Sequence, residues 1–237
     1  MQVGIIGCGS IANVHALALS HLEGITLVGA ADCKPERAKA LTAQFGGNPY
    51  SSLTELLEHE TLDVLHICTP HALHTPMAEL AADRGIAIFT EKPPVITPEQ
   101  WWDFSALSPR VPVGICFQNR YNQNIQDVKS LMEKGKTGKL LGARAFVTWR
   151  RELPYYAESG WRGSLRTEGG GVLINQSIHT LDLLIYLLGA PETAEASISN
   201  HHLKGKIEVE DTIEAYLEIA GAPVLFYATT AYCTDAP

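Results

Sequence analysis

Apolar positions along the chain fall into two regimes. From the N-terminus to about Gln118, short continuous apolar runs alternate with stretches of helical period. Val3-Gly4-Ile5-Ile6 is the first run and leads into Gly7-Cys8-Gly9-Ser10-Ile11-Ala12. A helical pattern follows, then a second run from Ile25 to Ala31 that ends in Asp32. The periodicity predicts helices over Pro35–Phe45 and Leu53–Glu58, and a buried strand over Asp63–Cys68 that stops at Thr69-Pro70. A helix over His74–Arg84 leads to a strand over Ile86–Thr90 and the turn Glu91-Lys92-Pro93-Pro94. Trp101–Leu107 reads as helix and Val111–Phe117 as strand. Alternation of this kind means a doubly wound parallel sheet with helices on both faces.

The second regime is α+β. A helix over Asn124–Glu133 precedes a long strand over Leu141–Arg151, and Gly169-Gly170-Gly171 opens an apolar helix that runs to Leu188. Extended runs follow at Glu195–His202, Ile207–Ile219 and Pro223–Tyr232. Val209, Asp211, Ile213, Ala215, Leu217 and Ile219 alternate with mostly polar residues, as a half-exposed antiparallel strand requires. The expected organisation is therefore a dinucleotide-binding domain over 1–118 and a substrate and oligomerisation domain over 119–237, with a large, open, mostly antiparallel sheet. The sequence stops soon after a strand, at Thr234-Asp235-Ala236-Pro237, so either another subunit covers the open sheet or the chain is truncated.

Composition narrows the partners. A net charge of -8 over 237 residues argues against nucleic acid and anionic membrane. Cys8, Cys33, Cys68, Cys116 and Cys233 form no CxxC pair and read as buried, reduced thiols, so no metal is expected. No signal peptide precedes the first strand and no apolar run reaches bilayer length, which points to a cytoplasmic protein.

The candidate chemistry begins at the glycine turn. Gly7 permits a tight turn off the strand, and Gly9 lets a pyrophosphate approach the backbone. The helix starting at Ser10 and Ile11 offers unpaired N–H groups to phosphate, and Ala12 is small enough for helix–sheet packing. Asp32 accepts hydrogen bonds from ribose hydroxyls and repels a 2′-phosphate, which favours NAD. Lys34 and Arg37 just beyond it either soften that preference and leave NADP open or are solvated charges that open the next helix. Ligands of such sheets lie beyond the carboxyl ends of the strands, where Thr69, Pro70, Glu91 and Lys92 fall. His71 and His74 either contact ribose or substrate there or cap the local turn. Charges at the end of a buried strand are costly unless paired, used or solvated, and Lys92 suits an acid or an electrostatic stabiliser of a substrate oxygen.

On the later apolar helix, Asn175, His179, Asp182 and Tyr186 are spaced four, three and four apart and form one stripe. The stripe holds no Lys, Arg or Glu, so it reads as the lining of a cleft; the plain alternative is a solvent face. His179 suits proton transfer, and Asp182 one turn on can fix its tautomer. The stretch from Trp149-Arg150-Arg151 through Tyr155-Tyr156 to Trp161-Arg162 offers aromatic faces for sugars and guanidinium groups for hydroxyls or acids, or else an ordinary domain interface.

Together these residues resemble the Gfo/Idh/MocA family of NAD(P)-dependent oxidoreductases, which act mostly on sugars and cyclitols. The ordered markers are Gly7-Cys8-Gly9, Asp32, Cys68-Thr69-Pro70, His74, Glu91-Lys92-Pro93, Asn119-Arg120-Tyr121, Trp161-Arg162, Gly169-Gly170-Gly171, and His179 with Asp182. The resemblance implies a Rossmann-type first domain and a cleft between two domains for nicotinamide and substrate. It implies that Lys92 and His179 are catalytic, with Asp182 supporting His179. Substrate contacts are expected from Asn119, Arg120, Trp161, Arg162 and Asn175. The family often has Asp where this chain has Asn175, so base duty falls more heavily on His179. Its members usually carry roughly another hundred residues, so the second domain reads as incomplete at its C-terminus. The implied reaction moves a hydride between the nicotinamide and a secondary alcohol of a sugar, nucleotide sugar or cyclitol, in a homo-oligomer built through the large sheet. Two rival readings use the same residues: a glycosidase-type enzyme that recycles its NAD, and an NAD-binding module without turnover.

Overall fold

Strand β1 (Gln2–Ile6) sends Val3 and Ile5 into one buried cluster and Ile6 into another. Strand β2 (Thr26–Ala31) divides Leu27 and Ala30 from Ala31 in the same way. Both faces of the sheet are therefore covered, as continuous apolar strands demand. Helix α1 (Ser10–Ser20) buries Ala12, His15, Ala16 and Leu19, one stripe of helical spacing with a histidine in it. Helix α2 (Pro35–Phe45) buries Ala38 and Leu41. The remaining elements of this unit are β3 (Asn48–Tyr50), α3 (Leu53–His59), β4 (Val64–Ile67), α4 (His74–Ala82), β5 (Ala87–Thr90), α5 (Pro98–Ser105) and β6 (Val113–Ile115).

The computed structural model describes residues 1–232; Cys233 and the terminal Thr234-Asp235-Ala236-Pro237 lie outside the described residues. The chain splits into two compact units, Met1–Cys116 and Phe117–Pro237. In the first, the strand order is β3-β2-β1-β4-β5-β6, with every neighbouring pair parallel. The order reverses between β1 and β4, which opens a crevice at their carboxyl ends. Helix α5 begins at Pro98, earlier than the periodicity predicts, because the Thr97 hydroxyl accepts the Gln100 N–H (3.2 Å) and Pro98 fits the first turn. Strand β3 escapes a periodicity reading because it is three residues long, and its pairing with Gly29–Ala31 defines it. Cys8 and Cys68 are buried and Cys116 is half-buried, but Cys33 is exposed, which corrects the expectation of five buried thiols. Cys33 follows the residue at which the chain leaves β2 for the surface.

The second unit contains α6 (Gln123–Glu133), β7 (Ala143–Thr148), the short helices α7 (Leu153–Ala157) and α8 (Leu165–Glu168), α9 (Ile178–Leu188), β8 (Thr193–Ser199), β9 (Thr212–Ile219) and β10 (Ala222–Thr229). Its sheet runs β7-β10-β9-β8. The pair β10–β7 is parallel and the other two are antiparallel. Ile213, Leu217, Ile219, Val224 and Phe226 form the inner face, with Leu181, Leu184 and Leu188 of α9 packed on it. The long helix expected from Val172 to Leu188 is broken. Val172–Gln176 is a π-helical turn, and the segments on either side of Ser177 meet at 57°. The cause is Glu210: its carboxylate accepts the Gly171 and Leu173 N–H groups (2.8 and 3.0 Å), and its carbonyl accepts that of Val172 (3.0 Å). The first turn is thereby anchored outside the helix. Among the described residues no single helix is long and apolar enough to cross a membrane.

Candidate functional site

In the first unit the site grows from two loops that touch at the crevice. Gly7 has a φ of +87°, and a Cβ there would lie 2.7 Å from the Cys68 carbonyl group and 2.8 Å from the Thr69 nitrogen. Only glycine lets the turn after β1 pass so close to the turn after β4. Gly9 is different. It is the N-cap of α1 in extended conformation, no side chain caps the helix, and a Cβ there would meet nothing within 4 Å. The first amides of α1, at Ser10 and Ile11, therefore point outward over an open glycine face, and both residues are exposed. Asp32 is buried, and its Oδ2 accepts the Cys8 N–H (2.7 Å) while Oδ1 accepts the Lys34 N–H (2.8 Å). A carboxylate has about four acceptor positions, so Asp32 can anchor the turn and still accept from a ribose. Uncapped helix amides, an open glycine and a fixed carboxylate fit a dinucleotide. Lys34 and Arg37 are exposed beside this end. Burial, and then the Asp32 charge, push the Cys8 thiol up to about 12, so it packs and does not react.

His74 departs from the expected ligand contact. It is fully buried, with Nδ1 2.6 Å from the Pro93 carbonyl and Nε2 2.8 Å from the Thr69 carbonyl. It braces the Thr69-Pro70 turn against the turn after β5, and its ring does not reach the surface. His71 is also buried, 5.9 Å from His74 between ring centres.

Glu91 and Lys92 end β5 in unlike surroundings. The Glu91 carboxylate lies 3.0 Å from His15 Nε2 of α1 and accepts the Lys92 N–H (3.2 Å). Burial pushes its carboxyl up, but the bonds from His15, Cys116 and the Lys92 amide outweigh it and hold the group below the usual carboxylate range. His15 Nδ1 in turn lies 2.9 Å from His66 Nδ1 on β4. A chain of half-buried His66, buried His15 and half-buried Glu91 thus joins the phosphate-facing helix to the residue before Lys92. Sequence reading missed it; the signal was His15 on the apolar stripe of α1. His15, Glu91 and Cys116 also bring one ligand atom each within 4.8 Å of one another.

In the second unit, Arg120 sits in a short 3₁₀ turn with Asn119 (Gln118–Tyr121). Its Nε and Nη2 both donate to the Asp182 carboxylate, the first at 2.8 Å, and its guanidinium lies 5.0 Å from the Tyr186 ring. Arg120 therefore braces α9 through Asp182. Asp182 is 8% exposed, which rules against the solvent-face reading at that position. The break at Ser177 takes Asn175 off the stripe, leaving His179, Asp182 and Tyr186 on α9. Asn175 is buried and donates to Glu168 Oε1 (2.5 Å). Glu168, which the pattern did not single out, is fully buried; its Oε2 accepts the Gly163 N–H (2.5 Å) and burial pushes its carboxyl up. The ring of His179 stands edge-on to Phe117, 6.1 Å between centres. Trp161 and Arg162 stack 4.7 Å apart.

Comparison with known proteins agrees with this geometry. Residues 1–111 match "Oxidoreductase family, NAD-binding Rossmann fold", and residues 125–236 match the "GFO/IDH/MocA C-terminal domain". The WlbA dehydrogenase from Bordetella pertussis, solved in complex with NADH and UDP-GlcNAcA, superposes with a TM-score of 0.92 at 32% identity, over 99% of this chain and 72% of that one. D-glucoside 3-dehydrogenase of Escherichia coli (strain K12) is 29% identical, over 85% of this chain and 57% of its own length. The scyllo-inositol 2-dehydrogenase (NAD(+)) of Bacillus subtilis (strain 168) is 29% identical, over 92% and 61%. The chain thus spans about three-fifths of the curated relatives it matches. With a reversed parallel sheet order, a glycine turn locked to Asp32 and both domain matches in sequence order, the chain belongs to the Gfo/Idh/MocA oxidoreductase family, and its first unit is that family's NAD-binding Rossmann domain.

Proposed function

We propose that this chain carries the working parts of an NAD-dependent dehydrogenase acting on a secondary alcohol of a sugar, nucleotide sugar or cyclitol. The carrying observation is the open glycine face at the uncapped start of α1, tied to Asp32, in a chain whose relatives are named sugar and cyclitol dehydrogenases. Bound nicotinamide would supply the hydride acceptor or donor. Gly7, Gly9, Ser10, Ile11, Asp32, Thr69 and Pro70 hold the dinucleotide, and Asp32 favours NAD over NADP. Lys92 stabilises the oxyanion that develops on the substrate, with Glu91 fixing its backbone. His179 takes the hydroxyl proton and returns it in the reverse direction. Asp182, held by Arg120, steadies the helix face on which His179 stands. Asn119, Trp161, Arg162 and Asn175 contact the substrate. The reading takes the reaction to run in the cytoplasm, where an exposed thiol such as Cys33 stays reduced.

The test is NAD(P)-linked absorbance across a panel of sugars and cyclitols. His179→Ala should abolish turnover while NADH still binds. A His179→Ala chain running at the parent rate overturns the assignment, and NADH binding with no turnover on any panel member overturns the dehydrogenase reading.

A further inference from the structure

Two guanidinium groups converge on one tyrosine ring in the second unit. The Arg162 Cζ lies 4.3 Å from the centre of Tyr155 and that of Arg151 lies 5.0 Å from the same centre. Each is also stacked on a tryptophan, Arg151 over Trp149 at 5.0 Å and Arg162 over Trp161 at 4.7 Å. The aromatic faces attract the cations and fix their planes, but they do not neutralise them.

Neither charge is neutralised by a carboxylate in direct contact among the described residues. Arg150, next in sequence to Arg151, pairs with Glu152 at 2.5 Å. Among the described residues neither Arg151 nor Arg162 has an ion pair within 4 Å, and the Nε of each is buried without a hydrogen-bond partner. Arg151 spends one Nη1 hydrogen on the Arg150 carbonyl (2.8 Å). Glu168 feels the Arg162 charge, and its carboxylate accepts the Gly163 N–H and the Asn175 amide. Burial also pushes that carboxyl above its ordinary range, which makes it a poor counter-charge. Two adjacent cations with unused donors, in a chain of net charge -8, are a costly arrangement unless an anion completes it.

The cluster is also wired to the proposed site. The Tyr155 hydroxyl accepts from Gln176 Nε2 (3.1 Å), and Gln176 ends the π-helical turn that feeds the helix bearing His179. We propose that Arg151 and Arg162, stacked on Tyr155, form the anion-binding end of the substrate site, so that the preferred sugar carries a carboxylate or a phosphate. This rests on the dehydrogenase reading above and adds the substrate class. Guanidinium forks hold either anion in two parallel hydrogen bonds, which a neutral sugar cannot match.

The test is calorimetric titration of the NADH-loaded chain with D-glucose, D-glucuronate and D-glucose 6-phosphate. At least one anionic sugar should bind about tenfold tighter than glucose, and the preference should shrink as salt is added. Which anion wins identifies carboxylate or phosphate as the recognised group. The double variant Arg151→Gln, Arg162→Gln should bring the ratio close to one. Arg151→Lys, Arg162→Lys should restore part of it, as point charges without the planar fork. Circular dichroism and urea unfolding, measured on every variant, report that both units are folded. Equal binding of all three sugars, a preference that survives the double Gln variant, or no sugar binding below about 10 mM overturns the proposal. Anion preference without any NAD-linked turnover sinks the dehydrogenase reading and leaves the anion site standing; turnover on neutral sugars without anion preference does the reverse.

Discussion

Single residues separate binding from folding at the glycine turn. Gly7 and Gly9 look alike in sequence but answer to different physics. Gly7→Ala places a Cβ against the backbone at Cys68 and Thr69 at a φ of +87°, where L-residues are strained. Neither neighbour is a flexible side-chain end, so about 2–4 kcal/mol of stability should be lost, visible as a lower urea midpoint. Gly9→Ala meets no atom within 4 Å and its φ of -77° suits any residue. Its unfolding midpoint should hardly move, within about 0.5 kcal/mol, while NADH affinity falls about tenfold or more because the methyl group stands over the helix amides. A Gly9→Ala chain that binds NADH as the parent does would show that no phosphate passes there. Asp32 allows a parallel measurement. Asp32→Ala should weaken NADH more than NADPH in fluorescence titrations, since a carboxylate both binds the ribose hydroxyls and repels a 2′-phosphate. Equal weakening of the two would remove it from the ribose.

At the scale of elements, the histidines buried among α1, β4, β5 and the following turns make acid stability predictable. Burial, and then the charge of His15, pull His66 down from 6.5 to about 3. His74 is lowered as well, mainly by burial, despite its two backbone carbonyl contacts. A histidine whose folded value is depressed gives stability that is complete above its unfolded value near 6.5. That stability drains away as the pH falls toward the folded value, because the unfolded chain binds the proton first. Each such histidine contributes a slope of about 1.4 kcal/mol per pH unit in that window. Glu91, held below the carboxylate range, acts only at lower pH. Urea unfolding between pH 7 and 5 should therefore show falling stability, and His66→Gln should remove about half the slope. A flat profile, or an unchanged slope in the variant, contradicts the burial of these rings as neutral groups. The histidine chain also shows what the sequence made legible. The strand and helix order of the first unit, the glycine turn and Asp32 were readable because period and spacing are local signals. His15 was visible only as a polar residue on an apolar stripe, since its partners His66 and Glu91 come from distant strands. The break before α9 was hidden for the same reason. Glu210 sets it from 39 residues away along the chain, and no helical period carries that contact.

At the scale of the whole molecule, the outer face of the second sheet exposes large apolar side chains beside Glu195 and Glu214. Phe146 is 62% exposed on β7, Leu225 45% on β10 and Tyr216 46% on β9. Leu225 faces Tyr216 across β10–β9, and Phe146 is level with Tyr227 across β7–β10. The side chains thus form one patch running over three strands, around a shallow depression of about 600 Å³ that Glu195 and Ser197 of β8 complete. A contiguous apolar surface of this kind marks an interaction site. A second copy of the chain can cover it by a two-fold contact that uses the same residues on both sides. Such a contact brings Glu195 and Glu214, which line the depression, close to their own symmetry copies. Association should therefore strengthen as added salt screens that repulsion. In sedimentation velocity at tens of micromolar, the parent chain should run as a dimer or larger, with the dimer fraction rising with salt. Phe146→Glu combined with Leu225→Glu places two more charges in the patch without disturbing the inner face of Ile213, Leu217 and Phe226, and should return the chain to a monomer. A parent chain that is monomeric across that range, or a double variant that associates as the parent does, assigns the face to some other cover.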